Sequence, residues 1–241
     1  MSWPAVSRDR VGSVSSAALR RADAEAASRF GIEPLQLMEV AGWQVARFVG
    51  AFMDGIRGKR VSVIAGSGNN GGDALVAARF LLQRGAIVNA SIVPSGDAHS
   101  LASRHALTIR RLGIPIADAP QGIDASADVL IDGLFGTGIR LPLRDPAPGI
   151  IAAMNATGRP IVAIDVPSGM DADTGAGADA AVRAAATVTL VAPKAGLAGA
   201  SNAGRVFVAD IGMPLALFGA EREMLAVLYR LGDLVELVPS S

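Results

Sequence analysis

Residues 60–85 read RVSVIAGSGNNGGDALVAARFLLQRG. The first six residues are a β-branched run that stops at glycine, as a buried strand does. GSGNNGG follows, and DALVAARFLLQRG then reads as a helix closed by Gly85. Upstream, residues 15–29 are rich in alanine, arginine and glutamate, with Ser15 or Ser16 placed to cap a helix and Gly31 to end it. A second helix is predicted over residues 34–52, where Leu37, Met38, Ala41, Val45, Phe48 and Val49 recur at spacings of three and four. Downstream the alternation continues: strand 86–93, helix 98–112, strand 128–134, helix 148–155, strand 160–166, then apolar runs at 187–192 and 205–209. Strands alternating with helices predict a parallel sheet covered on both faces. No repeat, low-complexity tract or linker interrupts it, so the whole chain reads as one three-layer α/β/α domain with a mostly parallel sheet.

Composition agrees. Of 241 residues, 51% are hydrophobic and 18% charged, which excludes a disordered or collagen-like chain. The 22 basic residues cancel the 22 acidic ones, so no net field draws nucleic acid or an anionic membrane. The absence of cysteine removes disulfides, thiolate zinc sites and cysteine nucleophiles. The longest stretch free of charge, residues 146–158, is shorter than the ~20 residues a membrane helix needs. The first residues lack the apolar core of a secretory signal; they are basic and serine-containing, so an organelle transit peptide is the alternative to a cytoplasmic location.

Ligands of open parallel sheets bind beyond the carboxyl ends of the strands. Here those ends are polar and glycine-rich at residues 67–73, 132–140 and 165–171, and a fourth strand ends in Ala192-Pro193-Lys194. GSGNNGGD is either an anion cradle at a helix N-terminus or a tight strand-to-helix turn with Asp73 in the first helical turn. It fits neither GxGxxG nor GxxxxGK[ST]. Asp132 ends an apolar strand, where a carboxylate needs a cation, a hydrogen-bonding partner or a loop to cap. Asp165 closes IVAIDVPSG and is a candidate general acid/base. Lys194, the only lysine besides Lys59, either binds an anion or polarises a substrate oxygen, or is a solvated loop charge. His99 and His105 are expected to face solvent, and Ser67 and Ser168 lack a histidine partner for a triad.

Together LMEVAG (37–42), GSGNNGGDALVAAR (66–79), DGLFGTGIRLPL (132–143), IDVPSGMDADTG (164–175), TVTLVAPKAG (187–196) and VADIGMP (208–214) resemble, in order, the NAD(P)H-hydrate epimerase family, also called the YjeF N-terminal domain. The resemblance covers about residues 15–215. It implies a Rossmann-like fold and an isomerase that interconverts the two epimers of hydrated NADH and NADPH (NADHX and NADPHX), each carrying a hydroxyl on a saturated ring carbon beside the nitrogen. A dehydratase partner, separate or fused, restores only one epimer. The resemblance places substrate contacts at Asn69, Asn70, Gly71, Gly72 and Asp73, at Gly136, Thr137, Gly138, Ile139, Arg140, Leu141 and Pro142, and at Asp165. It places a potassium ion on Asn70, Asp132 and Ser168, all oxygen donors suited to a hard cation. Asp165 is then the expected main acid/base, with Lys194 as an electrostatic or proton-transfer aid.

Val40 stands where the family usually has asparagine, and Ala74 replaces a common glycine. Members are often fused to a dehydratase, and LVELVPSS at residues 234–241 is where such a linker could begin. Some relatives of this fold are non-catalytic binding scaffolds; the carboxylates, the lysine and the glycine loops favour the enzyme. A nucleotide-phosphate sensor is a third reading. Trp43, Phe48 and Phe52 give the second helix aromatic area that either wraps the sheet edge or meets another subunit, and the resemblance implies a homodimer.

Overall fold

A computed structural model describes residues 3–239. Its elements run β1 (Ala5–Ser7), α1 (Ser16–Phe30), α2 (Pro34–Phe52), β2 (Arg60–Ala65), α3 (Asn69–Gln83), β3 (Ile87–Ile92), α4 (Leu101–Arg111), β4 (Ile116–Asp118), β5 (Val129–Gly133), α5 (Ala147–Ala156), β6 (Ile161–Ile164), β7 (Ala186–Leu190), β8 (Arg205–Ala209), α6 (Arg222–Leu231) and β9 (Leu234–Val238). One sheet holds all the strands in the order β1-β9-β8-β7-β6-β5-β2-β3-β4. Every pair is parallel except β8 with β9. From β2 the order runs outward through β3 and β4 on one side and through β5 to β8 on the other. The topological switch therefore lies between β2 and β5, where such sheets open a crevice.

The period-two alternation of the strands divides the core. Val61, Val63, Val129, Ile131, Val162 and Ile164 pack with α2, α3 and α4, while Ile64, Leu130 and Ile161 pack with Ile150, Ile151 and Met154 of α5. Phe48 of α2 is 1% exposed and meets Phe207 of β8, ring centroids 4.7 Å apart. Phe52 stacks on Phe48, and Trp43 packs edge-on against Phe80 of α3. Phe48 is thus buried within the chain, while Trp43 and Phe52 remain half-buried.

Three expectations need correction. The asparagines and glycines of GSGNNGG are not a loop: α3 begins at Asn69, with Gly68 as its N-cap. Gly71 is glycine because of close approach, since a Cβ there would lie 1.9 Å from the Gly66 carbonyl oxygen. Asp73 accordingly sits past the first turn and is buried. His105 is buried rather than solvent-facing, because it shares the inward stripe of α4 with Ala102 and Ile109; desolvation lowers its pKa. Finally, LVELV, read as the start of a linker, is strand β9, hydrogen-bonded to both β8 and β1.

Candidate active site

The carboxyl ends of β2, β5, β6 and β7 open into one cavity of about 470 Å³, roofed by α1, α2 and the start of α3. Two strands reach it through left-handed residues. Asp165, just past β6, has φ +70°, and Val191, just past β7, has φ +67°. Such conformations cost a non-glycine residue roughly 1–3 kcal/mol and gather at functional sites. Here they turn the chain at adjacent strand ends so that Asp165 and Lys194 meet.

Lys194 is 3% exposed and Asp165 8%. The Lys194 ammonium donates to Asp165 Oδ1, to Thr189 Oγ1 at 2.9 Å and to the Leu190 carbonyl at 2.8 Å. An ammonium has three donors, and each has a partner here. Lys194 is therefore a fixed positive charge beside Asp165 and not a solvated loop residue. Asp165 also accepts from Leu190 N at 3.4 Å on Oδ1 and from Thr137 N at 3.1 Å on Oδ2. A Cβ on Gly136 would stand 2.9 Å from that Oδ2, so the FGTG glycine lets the loop close over the carboxylate.

Beneath this pair lies Asp132, fully buried at the end of β5. It accepts from Ser168 Oγ at 2.6 Å, Ser168 N at 2.8 Å and Leu134 N at 3.2 Å. Desolvation outweighs these bonds and pushes its pKa from 3.8 up to about 6. Ser168 Oγ in turn accepts from Phe135 N at 2.8 Å, and Asn70 Nδ2 donates to the Phe135 carbonyl at 2.8 Å and to the Ile164 carbonyl at 3.3 Å. Asn70, Asp132 and Ser168 thus share one network around the carbonyls of residues 135 and 164. Its donors are hard oxygens, its carboxylate has no counter-charge, and the described residues contain no histidine-, cysteine- or acid-rich cluster of the transition-metal kind. Oxygen donors of this kind suit a hard cation.

Asn69, Asn70, Asp73, Gly136, Thr137, Gly138, Ile139, Asp165 and Lys194 all line the cavity. Gly71 and Gly72 lie behind it, packed on Gly66 and Met38. Arg140, Leu141 and Pro142 continue the loop outside the lining and are exposed. Val40 is 38% exposed and does not line the cavity. Motif reading missed the roof: Arg20 and Asp23 of α1, and Leu37, Met38 and Ala41 of α2. The signal for Asp23 was its place four residues after Leu19 and one after Ala22, both buried. Its pKa is raised by desolvation and then by the Asp165 charge, against Lys194. Asp73, 6% exposed, is raised well above the usual range by desolvation and by the charges of Asp165 and Asp23.

The family described as YjeF-related protein N-terminus matches residues 34–196, which include all of these strand-end motifs. The chain belongs to the YjeF N-terminal family. An NAD(P)H-hydrate epimerase of Weissella koreensis is 36% identical over 192 residues, covering 77% of this chain and 85% of that protein. A bifunctional NAD(P)H-hydrate repair enzyme of Salinibacter ruber is 35% identical over 216 residues, covering 82% of this chain and 40% of that protein. The chain thus spans less than half the length of its bifunctional relatives. The crystal structure of a yeast member of known fold, ynu0, superposes with a TM-score of 0.79 at 28% identity, over 88% of this chain and 93% of that one. The fold is therefore shared with that protein over 88% of this chain.

Proposed function

We propose that this chain is an NAD(P)H-hydrate epimerase, interconverting the R and S forms of hydrated NADH and NADPH. The observation that carries the reading is the buried Asp165–Lys194 pair lining a cavity at the switch point of the sheet. A buried ion pair seldom stabilises more than an apolar pair of the same size, so a scaffold would have little reason to keep one. An acid/base site beside a dinucleotide does: epimerisation breaks and remakes a bond at the carbinol carbon, and protons must move to and from its oxygen. Asp165 is the principal proton acceptor or donor, and Lys194 fixes its charge and position. The N-terminus of α3 adds unpaired N–H groups and a positive dipole end near Asn69, which suits an anionic substrate.

A potassium ion held by Asn70, Asp132 and Ser168 belongs to the same proposal. Bound there, it supplies the positive charge that Asp132 lacks, and it organises the 134–138 loop under the substrate. The fused relatives support a dehydratase as functional partner, on the same polypeptide or another. A homodimer and a cytoplasmic location complete the reading; no helix among the described residues is long and apolar enough to cross a membrane.

The test mixes the purified chain with a dehydratase specific for one epimer and with an epimeric mixture of NADHX. Faster consumption of the slow epimer supports the reading. A decay of that epimer no faster than without the chain removes it.

A further inference from the structure

The carboxyls of this cavity are in contrasting states. Both Asp165 oxygens accept hydrogen bonds, and one also faces an ammonium. Asp73 lines the same cavity at 6% exposure, yet its carboxyl has no hydrogen bond and no ion pair among the described residues. A buried carboxylate without a partner is costly, whereas a protonated one carries its own donor into the cavity. The two groups also come from different elements that line the cavity: Asp165 from the turn after β6, Asp73 from α3.

Resting on the epimerase reading, we propose that Asp73 is a second catalytic residue, the neutral acid that works against the ion-paired base Asp165. Inverting a ring carbon requires that oxygen leave one face and arrive at the other. A single fixed carboxyl serves one face; two held by different elements of the cavity can serve both. In the water-loss route, Asp73 gives its proton to the ring hydroxyl and the C–O bond breaks, its electron pair leaving on water. The ring nitrogen's lone pair forms C=N⁺. A water adds to the opposite face, one of its protons passes to Asp165, and the C=N π pair returns to nitrogen. One proton has moved from Asp73 to Asp165, solvent exchange restores it, and no atom is oxidised or reduced.

The other charged groups that line the cavity with Asp73 are Asp23 and Arg20 from α1 and Asp165 and Lys194 from the strand ends; the α2 lining residues Pro34, Leu37, Met38 and Ala41 carry no charge. The negative charges of Asp165 and Asp23 raise the Asp73 pKa further beyond the effect of burial. One carboxyl held by an ammonium and two backbone N–H groups and another with no partner are in contrasting environments, as an acid and base pair requires.

The experiment uses the full chain in the coupled assay with NADHX. Asp73→Asn is a neutral isostere of the protonated acid, and a thermal melt checks its fold; Asp73→Ser is the second variant. Loss of a positioned acid lowers kcat by roughly 10²–10⁴-fold, with KM within about three-fold of wild type. The alkaline limb of the wild-type pH profile should disappear in both variants, and Asp73→Glu should recover part of the rate. Asp23→Asn, which removes a neighbouring negative charge, should move that limb to lower pH. A rate in Asp73→Asn within three-fold of wild type overturns the proposal, as does a raised KM with unchanged kcat. An infrared band from a protonated carboxyl, lost in Asp73→Asn, reads the acid without any substrate. Its absence in the wild type at pH 7 also overturns the proposal and leaves the epimerase reading standing. A wild-type chain that epimerises nothing, while keeping the band, removes the epimerase reading instead and the catalytic role with it.

Discussion

Asp132 makes the strongest quantitative prediction. Its carboxyl is fully buried and titrates at about 6 in the folded chain against 3.8 for a free aspartate. At about 1.4 kcal/mol per pKa unit, that displacement amounts to roughly 3 kcal/mol. The sign follows from proton counts. Between pH 3.8 and 6 the folded state holds a proton on Asp132 that the unfolded state has released, so stability falls as pH rises through this window. The full penalty is present above it and absent below. Other carboxyls oppose this trend: Asp171 and Asp233, with lowered pKa values, lose stability in acid. The Asp132→Asn variant keeps those groups and lacks the titration, so the difference between the two proteins isolates Asp132. Urea denaturation in a potassium-free buffer should show wild type gaining about 2.5 kcal/mol on Asp132→Asn between pH 7.5 and 4. Adding KCl at constant ionic strength should flatten the difference, because a cation beside Asp132 stabilises its charged form. A difference flat to within 0.5 kcal/mol in the absence of potassium refutes the buried-charge reasoning. A slope indifferent to potassium refutes the ion site alone.

Three further outcomes can be measured. Lys194→Met removes all three ammonium contacts and leaves Asp165 buried without its cation, which should cost roughly 3–5 kcal/mol in denaturation; adding Asp165→Asn should recover much of the stability and none of the epimerisation. Phe48→Ala, at a position 1% exposed and packed on Phe207 and Phe52, should lose about 3–5 kcal/mol while the folded fraction keeps its turnover number. Asp173 Oδ1 accepts from Ser16 N at 2.8 Å at the start of α1; Asp173→Ala should cost about 1 kcal/mol and raise the KM for NADHX more than it lowers kcat.

The sheet interior and the strand-end site were legible for one physical reason: buried parallel strands are short β-branched runs, and their polar ends must lie along one edge. That logic reached Asp132, Asp165 and Lys194 directly. It failed at β1 and β4, which have three residues each, too few for a period to register. It passed over β9, although Gly232 ends α6 before it and Pro239 follows it, because LVELV was taken together with the terminal residues as the place where a linker could begin. The glycines of NNGGD left an anion cradle and a tight strand-to-helix turn both open, because composition cannot separate freedom of φ from lack of a Cβ; here the second property was needed. His105 was legible on the three-and-four spacing of Ala102, His105 and Ile109, a periodicity that outweighs the usual preference of histidine for the surface.

The roof was the least legible part, since nothing local to α1 or α2 says which edge of the sheet they cross. Contacts distant in sequence fix that placement. Gln44 of α2 donates to the carbonyls of Asp210 at 2.9 Å and Asp233 at 3.3 Å, tying the helix to the ends of β8 and the start of β9. Asp173 holds the first turn of α1 from a loop that begins at Asp165 and passes through Ser168. One segment therefore supplies the ion-paired carboxylate, the hydrogen-bonding partner of Asp132 and the anchor for the helix that carries Asp23. A shift of that segment must move the strand-end wall and the α1 part of the roof together, whereas Asp73, fixed on α3 by the close approach of Gly71 to Gly66, stays with the sheet. The spacing between the two carboxyl walls is thus set by how the 165–173 segment seats against α3, and substitutions in that segment should alter turnover even where they touch no substrate.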